Sequence, residues 1–198
     1  MYTRSALLVL LVAVAASGNI PDFLAPGQCP AMGSSWKRAD ERLNFNKFSG
    51  LWYEYAVTGN PFQTLAECVR NDYVADGDTL RFTSYGRTEA GLPYKNIGII
   101  QTNPHGEPHF NLDVEDYFSV PFHVVATDYK NFACIYSCLD FSAGLYSDVA
   151  VILGRYPYLT SDYVRKCHTA FKSINVDVSR FTKTVQDYTC HYNDKNTF

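Results

Sequence analysis

Six cysteines, Cys29, Cys68, Cys134, Cys138, Cys167 and Cys190, are the residues here whose chemistry is most limited by number and spacing. Zinc or disulfide bonds are the two chemistries open to such a set. Structural zinc sites repeat short Cys-x-x-Cys pairs, but none occurs here, and Cys134-x-x-x-Cys138 has its histidines far away. No metal is therefore expected. An even set of cysteines behind a secretory leader reads as three disulfides, whose connectivity the count leaves open. Asp113 and Glu115, with Asp116 beside them, resemble a carboxylate pair, since alternate residues of a strand share a face. A solvated outer face explains them better. There is no Gly-x-Ser-x-Gly, no His-Glu-x-x-His and no glycine loop to cradle a phosphate, so neither catalysis nor a cofactor is expected.

Around these residues the chain must supply a scaffold. It opens with Met1-Tyr2-Thr3-Arg4, an apolar run from Ala6 to Ala16, and then Ser17. One positive charge, a short apolar run and small residues at the end describe a secretory signal over residues 1–17. The run is well short of the ~20 residues that span a bilayer. Residues 18–198 then form one secreted, extracellular domain, and no later segment could cross a membrane. The formal net charge is −3 with no basic cluster, which argues against a nucleic-acid partner.

Tyrosine (15) and phenylalanine (13) are abundant, and they fall in short β-like runs. These are 51–57, 68–75, 80–87, 94–101, 109–115, 122–127, 132–139 and 148–155. The separators are turn-formers, among them Asp76-Gly77-Asp78 and Asp128-Tyr129-Lys130-Asn131. Eight strands joined by tight turns suit an antiparallel up-and-down barrel, which leaves no open edge. A two-sheet sandwich is the competing architecture. Over 160–174 the period changes: Val164, Cys167, Phe171 and Ile174 fall on one helix face, behind Thr160 or Ser161 as N-cap. That helix packs outside the barrel. If Cys167 pairs with Cys134 or Cys138, both of these face outward and Ala133, Ile135 and Ser137 face inward. If Cys68 pairs with Cys190, then Val69, Asn71 and Tyr73 face inward. An interior with a Tyr and an Asn among apolar groups suits a cavity that orients an apolar ligand by a few hydrogen bonds.

Three stretches carry a family resemblance. Gly50-Leu51-Trp52, Thr127-Asp128-Tyr129 and Arg155 match the first-strand, sixth-to-seventh-strand and eighth-strand motifs of the lipocalins. The resemblance implies that Arg155 lies over Trp52, a pairing that suits a guanidinium and an indole. A closer resemblance, to the crustacyanins, runs over nearly all of the chain beyond the leader. It is carried by Ile20-Pro21-Asp22-Phe23, Asn60-Pro61-Phe62-Gln63, Cys68-Val69-Arg70-Asn71, the run Phe132–Cys138 and Phe171-Lys172-x-Ile174-Asn175-Val176-Asp177. Crustacyanins are carotenoid-carrying lipocalins of crustacean shells. The resemblance implies the pairs Cys29–Cys138, Cys68–Cys190 and Cys134–Cys167. It implies non-covalent binding of astaxanthin with its absorption shifted towards the blue, and pairing with a second crustacyanin-type subunit, with higher assembly beyond.

His109 matches a histidine placed near a keto oxygen of the pigment; its bland reading is a solvated strand-end histidine. Asn71 and Tyr73 match inward polar positions, and Gln63 lies on the loop after the first strand. Asn111, two residues beyond His109, stands where the pattern carries a smaller serine, and Val149 where an aromatic is expected. The competing function is carriage of another hydrophobic ligand, such as a bile pigment, retinoid or fatty acid. A thiol-dependent lipocalin-type isomerase would need an unpaired cysteine in the cavity.

Overall fold

The structure, a computed structural model, describes residues 23–30, 43–59, 65–102, 110–114 and 118–192. The segment assigned to the leader lies outside the described residues. The elements in chain order are β1 (Ala25–Pro26), α1 (Phe45–Phe48), β2 (Gly50–Thr58), β3 (Glu67–Asp76), β4 (Thr79–Arg87), β5 (Pro93–Thr102) and β6 (Phe110–Val114). There follow β7 (Phe118–Thr127), β8 (Phe132–Phe141), β9 (Leu145–Gly154), α2 (Ser161–Lys172), a 3₁₀ turn (Val178–Arg180) and β10 (Phe181–Lys183). Strands β2 to β9 pair antiparallel with their neighbours in order, and β9 pairs back onto β2, closing an eight-stranded barrel.

Closure decides between barrel and sandwich, and its cause is local. Tyr53 and Glu54 pair with Gly154 and Leu153, then the register slips by one residue, and Ala56 pairs with Ile152. Such a bulge bends the strand and turns its side chains over. Trp52 therefore packs inside the barrel, whereas Ala56 joins an apolar cluster on the outside. The lower part of β2 remains paired with β3, and its upper part is free to pair with β9 and β10.

The molecule has two cores. The inner one gathers Phe48, Trp52, Tyr73, Leu80, Phe82 and Ile100 with residues of β6 to β9. The outer one lies between the barrel and α2, and includes Cys134, Tyr136, Ala150, Ile152, Cys167 and Phe171. Ala133 and Ile135 belong to the inner core and Cys134, Tyr136 and Cys138 to the outer, which is the facing expected of β8. Three disulfides, Cys29–Cys138, Cys68–Cys190 and Cys134–Cys167, use all six cysteines. The pairing is the one the resemblance implies, and no thiol is left for isomerase chemistry.

Several boundaries differ from the sequence reading. Strand β7 starts at Phe118 rather than 122, and β9 at Leu145 rather than 148, because register with β6 and β8 extends pairing into stretches of weak local pattern. The residues before Gly50 form the helical turn α1, capped by Asn44, whose Oδ1 accepts from Lys47 N at 3.0 Å. Helix α2 ends at Lys172, and Ile174 packs from the turn beyond it. Thr160 is its N-cap through its carbonyl, which accepts from Tyr163 and Val164, and not through its hydroxyl. β1 and β10 were not expected; each is too short to show a period.

Cys134–Cys167 ties α2 to the barrel across 33 residues of chain. Restricting an unfolded loop of that length is worth roughly 3–4 kcal/mol. The double variant C134A/C167A should lose about that much in urea unfolding; a loss under about 1 kcal/mol would show that packing alone holds the helix.

Candidate functional site

One end of the barrel is shut by stacked rings and one guanidinium. Phe48 stacks on Trp52 (centroids 5.1 Å apart) and meets Tyr73 edge-on at 5.1 Å. Trp52 is fully buried, and its indole N–H donates to Phe48 O at 2.7 Å, so its one polar atom is satisfied. Arg155 lies with Cζ 3.8 Å from the centre of the Trp52 ring. Its Nε and Nη2 donate to Tyr129 O, Nη1 donates to Ser49 O and Leu51 O, and Nη2 also to Lys47 O and Phe48 O, all at 3.0–3.3 Å. Lys47 and Phe48 close α1, so the arginine satisfies carbonyls that the end of a helical turn leaves unpaired. Gly50 has φ +96°, and a Cβ there would stand 3.2 Å from Arg155 Nη1. The positive φ favours glycine, and a larger residue would also push the guanidinium aside by a few tenths of an ångström.

The motif Thr127-Asp128-Tyr129 builds the loop that meets Arg155. Asp128 Oδ1 accepts from the backbone N–H of Lys130, Asn131 and Phe132, and Oδ2 accepts from the Asn131 side chain. Burial raises its pKa, but these hydrogen bonds outweigh burial and hold the carboxyl below its usual range. Thr127 Oγ1 accepts from Tyr129 N and donates to Phe132 O. Tyr129 takes φ +64°, which turns its carbonyl towards Arg155.

Beyond this floor the inward faces carry a one-sided pattern. Register places Trp52 opposite Asn71, Asn71 opposite Ser84, and Ser84 opposite Asn96, so these share one inward rung. Ser84 Oγ donates to Asn71 Oδ1, and both residues are buried. Glu54, on the same face of β2 as Trp52, is 6% exposed, and its Oε1 accepts from Thr184 Oγ1 at 2.6 Å. Tyr73 stands one rung nearer the closed end, between Phe48 and Phe82. Burial pushes its phenol well above the ordinary value, with the Glu54 carboxyl adding to the shift, so Tyr73 is a neutral donor at any physiological pH. Phe82 fits because residue 98 is glycine: a Cβ there would lie 2.4 Å from the Phe82 ring. The opposite wall, from β6 to β9, is mostly apolar, with Phe110, Leu112, Phe122, Val124, Ile135 and Val151.

The expected site residues do not all converge. Asn71 and Tyr73 face the interior together. Val149 is opposite Ser137 on the inward face. Asn111 is a correction: it is in register with Gln101 and Pro121, while Phe110 and Leu112 on either side belong to the inner core. Strand alternation therefore points Asn111 outward, and β6 leaves no bulge to reverse it. Asp113 shares that outer face and accepts from Gln101 Nε2 at 2.7 Å, as expected of a solvated surface. Gln63 and His109 lie outside the described residues, as do Glu115 and Asp116.

Glu54, Ser84 and Asn96 were missed. The signal was legible for Glu54, since alternation from the buried Trp52 places a carboxylate on the inward face of an aromatic strand. The partner Thr184 could not be foreseen. It arrives on the C-terminal segment, which runs beside upper β2: Thr184 N donates to Tyr55 O, and Cys68 N donates to Val185 O. Gln186 Nε2 bridges Glu54 O and Val69 O at 2.9 and 2.7 Å. This segment fills the wall where β2 and β3 diverge.

The model of the lipocalin / cytosolic fatty-acid binding protein family matches residues 49–187. The chain belongs to this family. It is 43% identical to the crustacyanin-C1 subunit of Homarus gammarus over 179 residues, covering 90% of this chain and 99% of that subunit. It is 42% identical to the crustacyanin-A1 subunit of the same species, at 90% and 99% coverage. Among solved structures, lobster apocrustacyanin A1 superposes with a TM-score of 0.82 at 42% identity, covering 88% of this chain and 97% of that one. The barrel with its external helix is thus the lipocalin fold, and binding a small hydrophobic ligand is the activity that the family membership supports.

Removing the Arg155 guanidinium should open the closed end. Arg155→Ala should cost about 3 kcal/mol, from the lost ring contact and the abandoned carbonyls. Arg155→Lys should recover only part, because an ammonium cannot reach several carbonyls at once. Full recovery by lysine would show that charge alone matters. Tyr73 sets a second test. In the unfolded chain a tyrosine ionises near pH 10, whereas folded Tyr73 stays protonated, so its contribution is complete below pH 10 and lost as pH rises beyond it. Tyr73→Phe should flatten the alkaline fall in melting temperature; identical slopes would refute this.

Proposed function

We propose that the barrel binds one end of astaxanthin without a covalent bond, as a secreted shell-coloration protein in which the pigment's absorption is shifted to longer wavelength. The single observation that supports it best is the 42–43% identity to two crustacyanin subunits across 90% of the chain. The cavity agrees with it in kind. An apolar wall faces the polyene, and donors stand on one side, where a ring carbonyl needs them. A small eight-stranded barrel holds one small ligand, so a long polyene needs a second barrel; we infer pairing with another crustacyanin-type subunit.

In this reading Asn71 and Tyr73 shape the polar side, and the neutral Tyr73 phenol can donate to a keto oxygen. Gln63 and His109 are proposed as further contacts. Asn111, which faces outward, is withdrawn from the set. The interior carboxyl of Glu54 favours a second reading, a bile pigment, whose pyrrole N–H groups would donate to it.

Apolar burial should dominate affinity at roughly 25 cal/mol per Å² of polyene removed from water. The His109 hydrogen bond adds only about 1 kcal/mol. His109→Phe, reconstituted with astaxanthin and the partner subunit, should keep its pigment and lose part of the red shift. Loss of the pigment with an unchanged spectrum in what remains would make His109 a packing residue. Uptake of a bile pigment in preference to astaxanthin by the wild type would favour the second reading.

A further inference from the structure

A second concave surface lies outside the barrel, between α2 and the edge formed by β2 and β10. It is a groove of about 500 Å³. Tyr55, Leu159 and Val164 form its floor, all half-buried, and Arg165, His168 and Lys172 stand along one side on α2. Lys183 of β10 stands beside the floor residue Tyr55, its ammonium 5.4 Å from the centre of that ring. The His168 ring stacks against Phe181 at 5.7 Å, and Phe181 packs on the buried Phe171, so the imidazole is fixed in place.

The electrostatics run against the rest of the molecule. A chain of net charge −3 gathers three permanent cations around one groove. Asp162 pairs with Arg165 on the exposed helix surface. Burial first, and the neighbouring Lys172 second, hold His168 below its ordinary pKa. The imidazole is then a neutral hydrogen-bond donor set among cations. The groove is also preformed, since Cys134–Cys167 clamps α2 to β8.

An aromatic and aliphatic floor with a cationic rim fits a ligand with an apolar body and one anionic head. We propose that this groove is a second binding site, for a small amphiphilic monoanion such as an aryl or alkyl carboxylate or sulfonate. Its volume falls in the range of small-molecule sites, which run from about 300 to 1,000 Å³. The charged head meets Arg165, Lys172 and Lys183, and the body covers Tyr55, Leu159 and Val164. The site is separate from the barrel interior, because Tyr55 is the bulged residue of β2 and packs with the outer cluster.

The test is a backbone-amide NMR titration of the full chain with 8-anilino-1-naphthalenesulfonate. Saturable shifts should appear over residues 161–172 and at Lys183. The amides of Asn71 and Ser84 report the barrel interior independently, so binding there cannot be mistaken for binding in the groove. R165E/K172E should weaken the groove titration about tenfold or more, as expected for reversing two rim charges. Lys95→Glu, an exposed cation on β5, should leave it within about twofold. N-phenyl-1-naphthylamine, which lacks the sulfonate, should not shift the 161–172 amides at the same concentration. The proposal is overturned if R165E/K172E titrates like wild type, or if the neutral naphthylamine produces the same shifts. It is also overturned if a glutamate-rich peptide moves these amides while the sulfonate does not, because the groove would then recognise acidic protein rather than an amphiphile.

Discussion

The contact between Arg155 and Trp52 is the constraint on which the rest of this barrel depends. A guanidinium over an indole gains from the ring quadrupole, but the larger consequence is where its donors go. They reach carbonyls of α1, of the entry to β2 and of the loop between β7 and β8. These segments are far apart in sequence and none could close the end of the barrel alone. With their carbonyls satisfied, Phe48 and Trp52 can be fully buried as a plug. One polar side chain thus shuts this end of the barrel together with the rings beneath it.

Above the plug, the chemistry of the interior follows from pairing. Inward residues of β2 to β5 are polar at one level, and inward residues of β6 to β9 are mostly apolar, with Ser137 as an exception. An apolar ligand with a polar end can be oriented by such an asymmetry, since one wall has most of the hydrogen bonds to offer. Tyr73 adds a phenol that burial keeps protonated. Because Asn71 is engaged by Ser84, and Glu54 by Thr184, the polar wall is rigid before any ligand arrives. Preorganised donors and acceptors lower the cost of ordering on binding.

Closure elsewhere relies on covalent bonds and on the tail. Cys68–Cys190 holds the C-terminal segment in the gap between β2 and β3, and Cys134–Cys167 holds α2 over the outer core. The bulge at Tyr55 makes both features necessary. It frees upper β2 from β3, which opens the gap, and it turns Ala56 outward, which extends the apolar surface the helix must cover.

The sequence by itself determined the eight strands and the external helix, because these depend on short-range periodicity and turn residues that are local properties; closure into a barrel rests on the long-range pairing of β9 with β2. The sequence also determined that Asn71 and Tyr73 look inward, since alternation carries from one strand position to the next. Its motifs brought Arg155 to Trp52, although spacing alone could not say which carbonyls the arginine would satisfy. Only the tertiary structure decided the face of Asn111, because alternation needs a strand whose phase is already known, and β6 takes its phase from Ile100 and Val120 across the ladder. It alone showed Thr184 beside Glu54, a contact across 130 residues that no local pattern records. It alone drew cations from α2 and β10 around one groove, since charge gathered in space leaves no run of charge along the chain.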